Sequence, residues 1–421
     1  MRRLSLLALV SLSGCLSGAP PAPTSPARTA GATAPGCEAG NGGLVLPDGF
    51  CALVVAATVG PVRELAVAEN GDLYAAVSGE AGGVRAFRDT TGDGSPDVST
   101  SFGPGGGNDV ALHEGYLYFA LNDRIVRWRL EPGRLEPAGE PEIVVAGLPA
   151  DGGHVAKSLA FAGDVMYVNV GSRTNSCQEG DRRAGSPGVD PCAELERRAG
   201  IWTFSASRPG QTFGDGTRFA TGLRNAMAIA VEPGSGALFA VVHGMDMLAQ
   251  SWGFSAEVNA NNPAEIFVRV ERGGDYGWPY CYFSNESKRL VLAPEYGGDG
   301  TRTDRCAART APLMGFPGHW APISMAFHPG AGLGDHYTGG AFIAFHGSWN
   351  RAPLPQEGYR VVFAPFRNGR PTGEYENFAT LSDGPTALRA TGVAVAPDGS
   401  LYISADKNAT IWRIYRRTTG G

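Results

Sequence analysis

Residues 391–404 read Thr391-Gly-Val-Ala-Val-Ala-Pro-Asp-Gly-Ser-Leu-Tyr-Ile-Ser404: a polar opening, an apolar strand, a Pro-Asp-Gly turn and a second apolar strand. The same phrase recurs upstream. It runs from Arg63 to Ala76 around Asn70-Gly71, from Asn108 to Ala120 around Glu114-Gly115, and from Lys157 to Val168 around Gly163-Asp164. A longer copy spans Asn225 to Val242 across Pro233-Gly234. A looser one opens at Ile323-Ser-Met-Ala-Phe327 and resumes at Gly340-Ala-Phe-Ile-Ala-Phe345. Each copy is one hairpin, and a hairpin cannot bury both faces alone. Copies repeating every roughly 45 to 100 residues therefore describe a radial all-β array.

A third β-rich run follows each hairpin: Val84–Arg88, Arg124–Trp128, Ile201–Phe204, Ile266–Val270, Tyr359–Phe363 and Ile411–Tyr415. No further strand follows Tyr415, so the sixth blade is one strand short, while Phe50-Cys-Ala-Leu-Val-Val-Ala-Ala57 is spare at the other end. Pairing that N-terminal strand with the last blade closes the ring and removes two exposed edges. The expected fold is all-β, a six-bladed β-propeller over residues 44–417. The Gly-rich run Gly103–Gly107 is read as a hairpin loop. The acidic run Asp89–Asp97 is read as an outer turn, since it lacks the final Glu of an EF-hand calcium loop.

With 61 Gly and 30 Pro the chain is built for tight turns rather than long helices, and its net charge of −6 argues against a nucleic-acid partner. Met1-Arg-Arg3, an apolar run from Leu4 to Val10 and Leu12-Ser-Gly-Cys15 have the order of an export signal. Its end is similar to a bacterial lipobox, which implies a signal peptide over 1–15 and lipidation at Cys15. Residues 16–43, rich in Ala, Pro, Thr, Ser and Gly, are expected to be a tether. The protein is thus expected to be exported and lipid-anchored to a bacterial membrane, facing the periplasm or the cell exterior, and to meet the membrane through that anchor only. Setting Cys15 aside, six cysteines allow fifteen connectivities. They fall into local pairs along the chain, so Cys37–Cys51, Cys177–Cys192 and Cys281–Cys306 are expected, as an exported compartment permits.

In a radial array the residues opening each copy converge on one axis. Here they are Arg63, Asn108-Asp109, His154 with Lys157, Arg224-Asn225, His319-Trp320 and Arg389. For any one Arg a salt bridge between blades is an equal explanation. Recurrence in register, in an acidic chain with only three lysines, points instead to a multiply charged planar anion. His154, within Gly152-Gly-His-Val-Ala-Lys-Ser-Leu159, is the candidate for proton transfer. No Gly-x-Ser-x-Gly, Walker lysine loop or His-Glu-x-x-His is present, which argues against serine hydrolase, NTPase and zincin chemistry.

These residues, with Ala220-Thr-Gly-Leu-Arg-Asn-Ala226, Tyr276-Gly-Trp-Pro-Tyr-Cys281, Gly347-Ser-Trp-Asn-Arg351 and Val393–Gly399, resemble the glucose/sorbosone dehydrogenase family. That family consists of soluble quinoproteins that hold pyrroloquinoline quinone (PQQ) on a six-bladed propeller. The resemblance implies a PQQ- and calcium-dependent enzyme that oxidises an aldose sugar, or a related alcohol or aldehyde, and passes electrons to an external acceptor. It implies His154 as general base and Arg224 as stabiliser of negative charge, with Arg63, Lys157, Asn225, Arg351 and Arg389 holding the cofactor. Gly244 and Met245 would offer carbonyls to calcium, and His319 and Trp320 would line the substrate cleft. Two departures stand out: Gly171-Ser172 lacks the acidic residue that supports the histidine in the glucose enzymes, and Arg389-Ala-Thr391 keeps only the first arginine of an Arg-x-Arg pair. Two alternatives remain: a calcium-dependent lactonase on the same architecture, disfavoured by the cationic axis, and a non-catalytic surface-tethered binding module.

Overall fold

The computed structural model describes residues 36–330 and 332–417. The expected signal peptide and Cys15 lie outside them. Six sheets stand around one axis, antiparallel except where Gln211–Thr212 pairs parallel with Glu142–Ala146 at the outer edge of the second, each with its first strand innermost. The inner strands are Val62–Val67, Gly107–His113, Leu159–Ala162, Ala228–Val231, Pro322–Phe327 and Ala390–Val395. The third blade shows the plan: Leu159–Ala162, Val165–Val170, Gly200–Ser205 and Thr217–Thr221 pair in chain order. In the second blade Glu114 and Gly115 both have positive φ, as a two-residue hairpin turn requires.

The ring closes as expected. Phe50–Ala56 pairs antiparallel with Thr410–Arg416 as the outer strand of blade six. A second fastening, unforeseen in the sequence, joins Leu44–Val45 to Glu376–Leu381 on blade five. Aromatic side chains fill the wedges between blades. Phe239, Phe267, Phe316 and Phe345 are wholly buried between blades four and five, in mainly edge-on contact.

Two expectations are corrected. The run Gly103–Gly107 is not a hairpin loop. It joins Val98–Phe102, the outer strand of blade one, to the inner strand of blade two. A Cβ on Gly105 would lie 2.1 Å from the Glu80 carbonyl, so glycine is needed for a close approach rather than for a tight turn. The tether also ends sooner than residue 43. Glu38 exchanges bonds with Ala52 and Val54, Asn41 accepts from Ala52, Trp412 donates to the Gly42 carbonyl, and Cys37 is joined to Cys51. The Asp89–Asp97 run is a turn in which Asp89 accepts from the amides of Thr91, Gly92 and Gly94.

All three expected disulfides are present. Cys177–Cys192 and Cys281–Cys306 lie in long connections of blades three and four, which pack together through Met245, Leu248, Trp278 and Tyr280. These loops, stapled and apolar beneath, form a rigid wall beside the axis.

Candidate active site

Two sets of polar residues meet at one end of the ring. One precedes the inner strands, as the repeat suggested. The other follows the second strands: Ser172 and Asn175 after Val165–Val170, His243 to Asp246 after Leu238–Val242, His346 after Ala341–Phe345, and Asp406 after Leu401–Ala405. Of this second set the family resemblance draws attention to Ser172, Gly244 and Met245; Asn175, Asp246, His346 and Asp406 escaped the sequence reading, although for His346 and Asp406 a polar residue directly behind an apolar strand was a usable signal.

His154 sits between the two sets. Its Nδ1 lies 3.0 Å from the Ser172 carbonyl and 2.9 Å from Ser172 Oγ. A carbonyl only accepts, and Ser172 Oγ donates its own proton to the Thr174 carbonyl at 2.7 Å. Nδ1 therefore carries the ring proton and Nε2 presents its lone pair. Burial, then the positive charge of Arg224, lowers the His154 pKa to about 2, so the ring is neutral. Ser172 thus supplies the orientation that the missing acidic residue left unexplained. The approach requires Gly171, where a Cβ would fall 2.6 Å from His154 Cβ and 2.8 Å from Asn225 Oδ1.

Arg224 is fully committed to this site. Its Nε donates to the Asn175 carbonyl at 3.0 Å, and Nη2 reaches Asn175 Oδ1 at 2.8 Å and Asp246 Oδ2 at 3.0 Å. Asp246 is the node of the network. Arg182 pairs with it at 2.9 Å, Asn350 donates to it at 2.9 Å, and His319 Nδ1 lies 3.5 Å away. Burial works against this carboxylate, but Arg224, His319 and Arg182 together hold it far below the usual range. His243, held by the Pro322 carbonyl at 2.7 Å, is lowered to about 4 by burial and by Arg224. Glu265 accepts from the amides of Gly244 and Ala321, which ties the 243–246 loop to the 319–321 loop; burial raises its pKa to about 7.

Across the axis, Arg63 pairs with Asp406 at 3.4 Å, and His346 Nε2 is 3.0 Å from both Asp406 oxygens. Arg389 approaches His346 Nδ1 and the Tyr359 hydroxyl, each at 3.3 Å. Arg63, Arg224, Asn225 and Arg389 thus stand around one mouth with His154. Three expected residues are placed differently. Lys157 is wholly buried and donates to the Pro149 and Val155 carbonyls, bracing the loop that carries His154. Arg351 is tied to the Ala260 and Pro355 carbonyls and to Glu357, so it too braces a loop. Trp320 lines no cleft; it is 3% exposed and packs on Phe345 and Tyr375 in the core of blade five. His319 is at the mouth, buried against Asp246 and the Asn259 carbonyl. At the departure from Arg-x-Arg, Thr391 is buried and donates to the Val62 carbonyl, linking blades six and one.

The sequence profile of the TrAA12-like family matches residues 44–417. The chain belongs to the TrAA12-like family. Among relatives of this TrAA12-like chain, a PQQ-dependent pyranose dehydrogenase of Coprinopsis cinerea is 30% identical over 235 residues, 46% of this chain and 31% of that protein. The match thus spans about a third of that relative's length. A Trichoderma reesei structure of Carbohydrate-Active Enzymes Family AA12 superposes with a TM-score of 0.76 at 20% identity, covering 91% of this chain and 100% of that one. The holo PQQ domain of the Coprinopsis cinerea pyranose dehydrogenase superposes with a TM-score of 0.73 at 20% identity, over 92% and 99% of the two chains. At such identities the likeness establishes the TrAA12-like fold, a six-bladed propeller.

Proposed function

We propose that this protein is a PQQ- and calcium-dependent sugar dehydrogenase acting on the anomeric hydroxyl of an aldose and passing electrons to an external acceptor. The observation that carries it is a neutral, tautomer-fixed His154 beside the buried Arg224, in a mouth ringed by further cations. The donor set fits the cofactor: Arg63, Arg224, Arg389 and Asn225 suit a planar polycarboxylate. When bound, PQQ supplies the acceptor for the sugar C1 hydride, and calcium adds a Lewis acid beside it.

The chain's own residues do the rest. His154 Nε2 takes the hydroxyl proton, because Nδ1 is already engaged with Ser172. Arg224, held by Asn175 and Asp246, offers fixed positive charge without reorganising. The Gly244 and Met245 carbonyls, in the loop that Glu265 and Asp246 hold, are the proposed protein ligands of calcium. Lys157 and Arg351 serve by keeping the loops in place. The lipid anchor at Cys15, and with it an exported location beside a membrane, belongs to the same proposal on the strength of the N-terminal sequence.

The test is reconstitution of the purified apoprotein with PQQ and calcium, followed by dye reduction with a panel of aldoses. Bound-quinone absorbance with sugar-dependent reduction supports the proposal. Absence of both overturns it, and leaves a binding module.

A further inference from the structure

A channel of about 290 Å³ runs between the six inner strands. Most residues around it are apolar, Leu65, Met227 and Val393 among them, but the surface they turn to it is mainly polar, and two carboxylates, Glu64 and Asp109, line it with Ser158 and Ser324. The strands are irregular where these groups arise: pairing shifts between Val62 and Leu65, between Gly107 and Asp109, and between Pro322 and Ser324. Such bulges re-aim side chains, and here three blades turn an oxygen donor inward.

Both carboxylates are deeply buried, at 8% and 6% exposure. Asp109 Oδ2 accepts from the Leu159 amide at 2.6 Å. Glu64 Oε2 accepts from Ser324 Oγ at 2.5 Å, while its Oε1 is buried without any hydrogen-bond partner. A buried carboxylate oxygen without a partner costs free energy. Burial, and then the charge of Asp109, raises Glu64 well above the carboxylate range, and burial pushes Asp109 to about 7. Arg63, whose charge acts on Glu64, directs its guanidinium to Asp406.

We propose that Glu64, Asp109 and Ser324 form a cation site in the central channel that takes calcium, distinct from any ion at the mouth. The donors are all oxygen, which suits a hard cation, and the cavity leaves room for several waters at roughly 30 Å³ each to complete a flexible calcium shell. The ion supplies the countercharge the buried pair lacks and ties blades one, two and five together at the axis.

The experiment uses chelator-stripped protein without PQQ. Calcium is titrated by calorimetry and thermal unfolding into the wild type, Glu64→Gln and Asp109→Asn. The wild type should bind one calcium more than either variant, and its calcium-dependent rise in Tm should be lost in both. Ser324→Ala, which leaves both carboxylates intact, should weaken the site by about 10-fold or more, and so decides the matter if the carboxylate variants do not fold. A wild type whose calcium stoichiometry and Tm response equal those of Glu64→Gln, or a Ser324→Ala protein with unchanged affinity, would overturn the proposal; the two carboxylates then share a proton instead.

Discussion

Ser172 shows how one side chain replaces another by different chemistry. A carboxylate would have held the His154 ring and also attracted a proton to it; Ser172 holds the ring with two acceptors and leaves it neutral. In Ser172→Ala the carbonyl still accepts from Nδ1. Turnover of the reconstituted enzyme should therefore fall only about fivefold, the equivalent of a hydrogen bond worth about 1 kcal/mol, with quinone binding unchanged in an absorbance titration. Asp246 is the opposite case. Asp246→Ala strips the countercharge from buried Arg224 and should cost about 3–5 kcal/mol in urea unfolding. His243 links the site to pH. Its folded pKa, near 4, lies below the unfolded value of about 6.5, so between these limits the unfolded chain binds the extra proton. Stability from this group is complete above pH 6.5 and is lost as pH falls toward 4, at about 1.4 kcal/mol per pH unit. Glu265 and Asp109, raised to about 7, act in the opposite sense over the same range. The difference in unfolding free energy between wild type and His243→Gln, measured from pH 4 to 7, should therefore carry the His243 slope.

At the level of elements, the blades and their closure were legible because their signals are local: alternation, Gly turns and an unpaired N-terminal strand. The mouth was only half legible. Residues opening the inner strands could be found by register, whereas Asp246, Asn175 and Asp406 act through partners many residues away, and no spacing reveals such partners. Lys157, Arg351 and Trp320 were misplaced for the same reason, since a side chain's direction is set by packing. The disulfides divide along this line. Cys37–Cys51 fastens the closing strand far from the mouth, so the Cys37→Ser, Cys51→Ser double variant should lose about 2–4 kcal/mol of stability and keep its quinone affinity. Cys281–Cys306 stiffens the wall that carries Trp278, whose indole donates to the Asn175 carbonyl bound by Arg224. Opening it should weaken quinone binding as well as stability, read from the same absorbance titration and an unfolding curve.

On the scale of the whole molecule, six similar hairpins build a ring whose mouth and central channel carry different side chains. The mouth gathers guanidinium groups around a neutral histidine, and the channel beneath it gathers carboxylates. A ring assembled from near-identical units can hold such opposed chemistries because each blade contributes only one or two axial residues, which vary while the hairpin is kept. Cofactor binding and proton transfer at the mouth are thereby assigned to separate residues. This separation is tested most directly by titrating PQQ, with calcium present, into His154→Ala and Arg224→Ala beside the wild type, and measuring turnover on an aldose that the wild type oxidises. His154→Ala should bind the quinone as the wild type does and lose roughly 10²–10⁴-fold in kcat, while Arg224→Ala should lose quinone binding itself. Equal loss of quinone binding in the two variants, or full turnover by His154→Ala, would contradict the account.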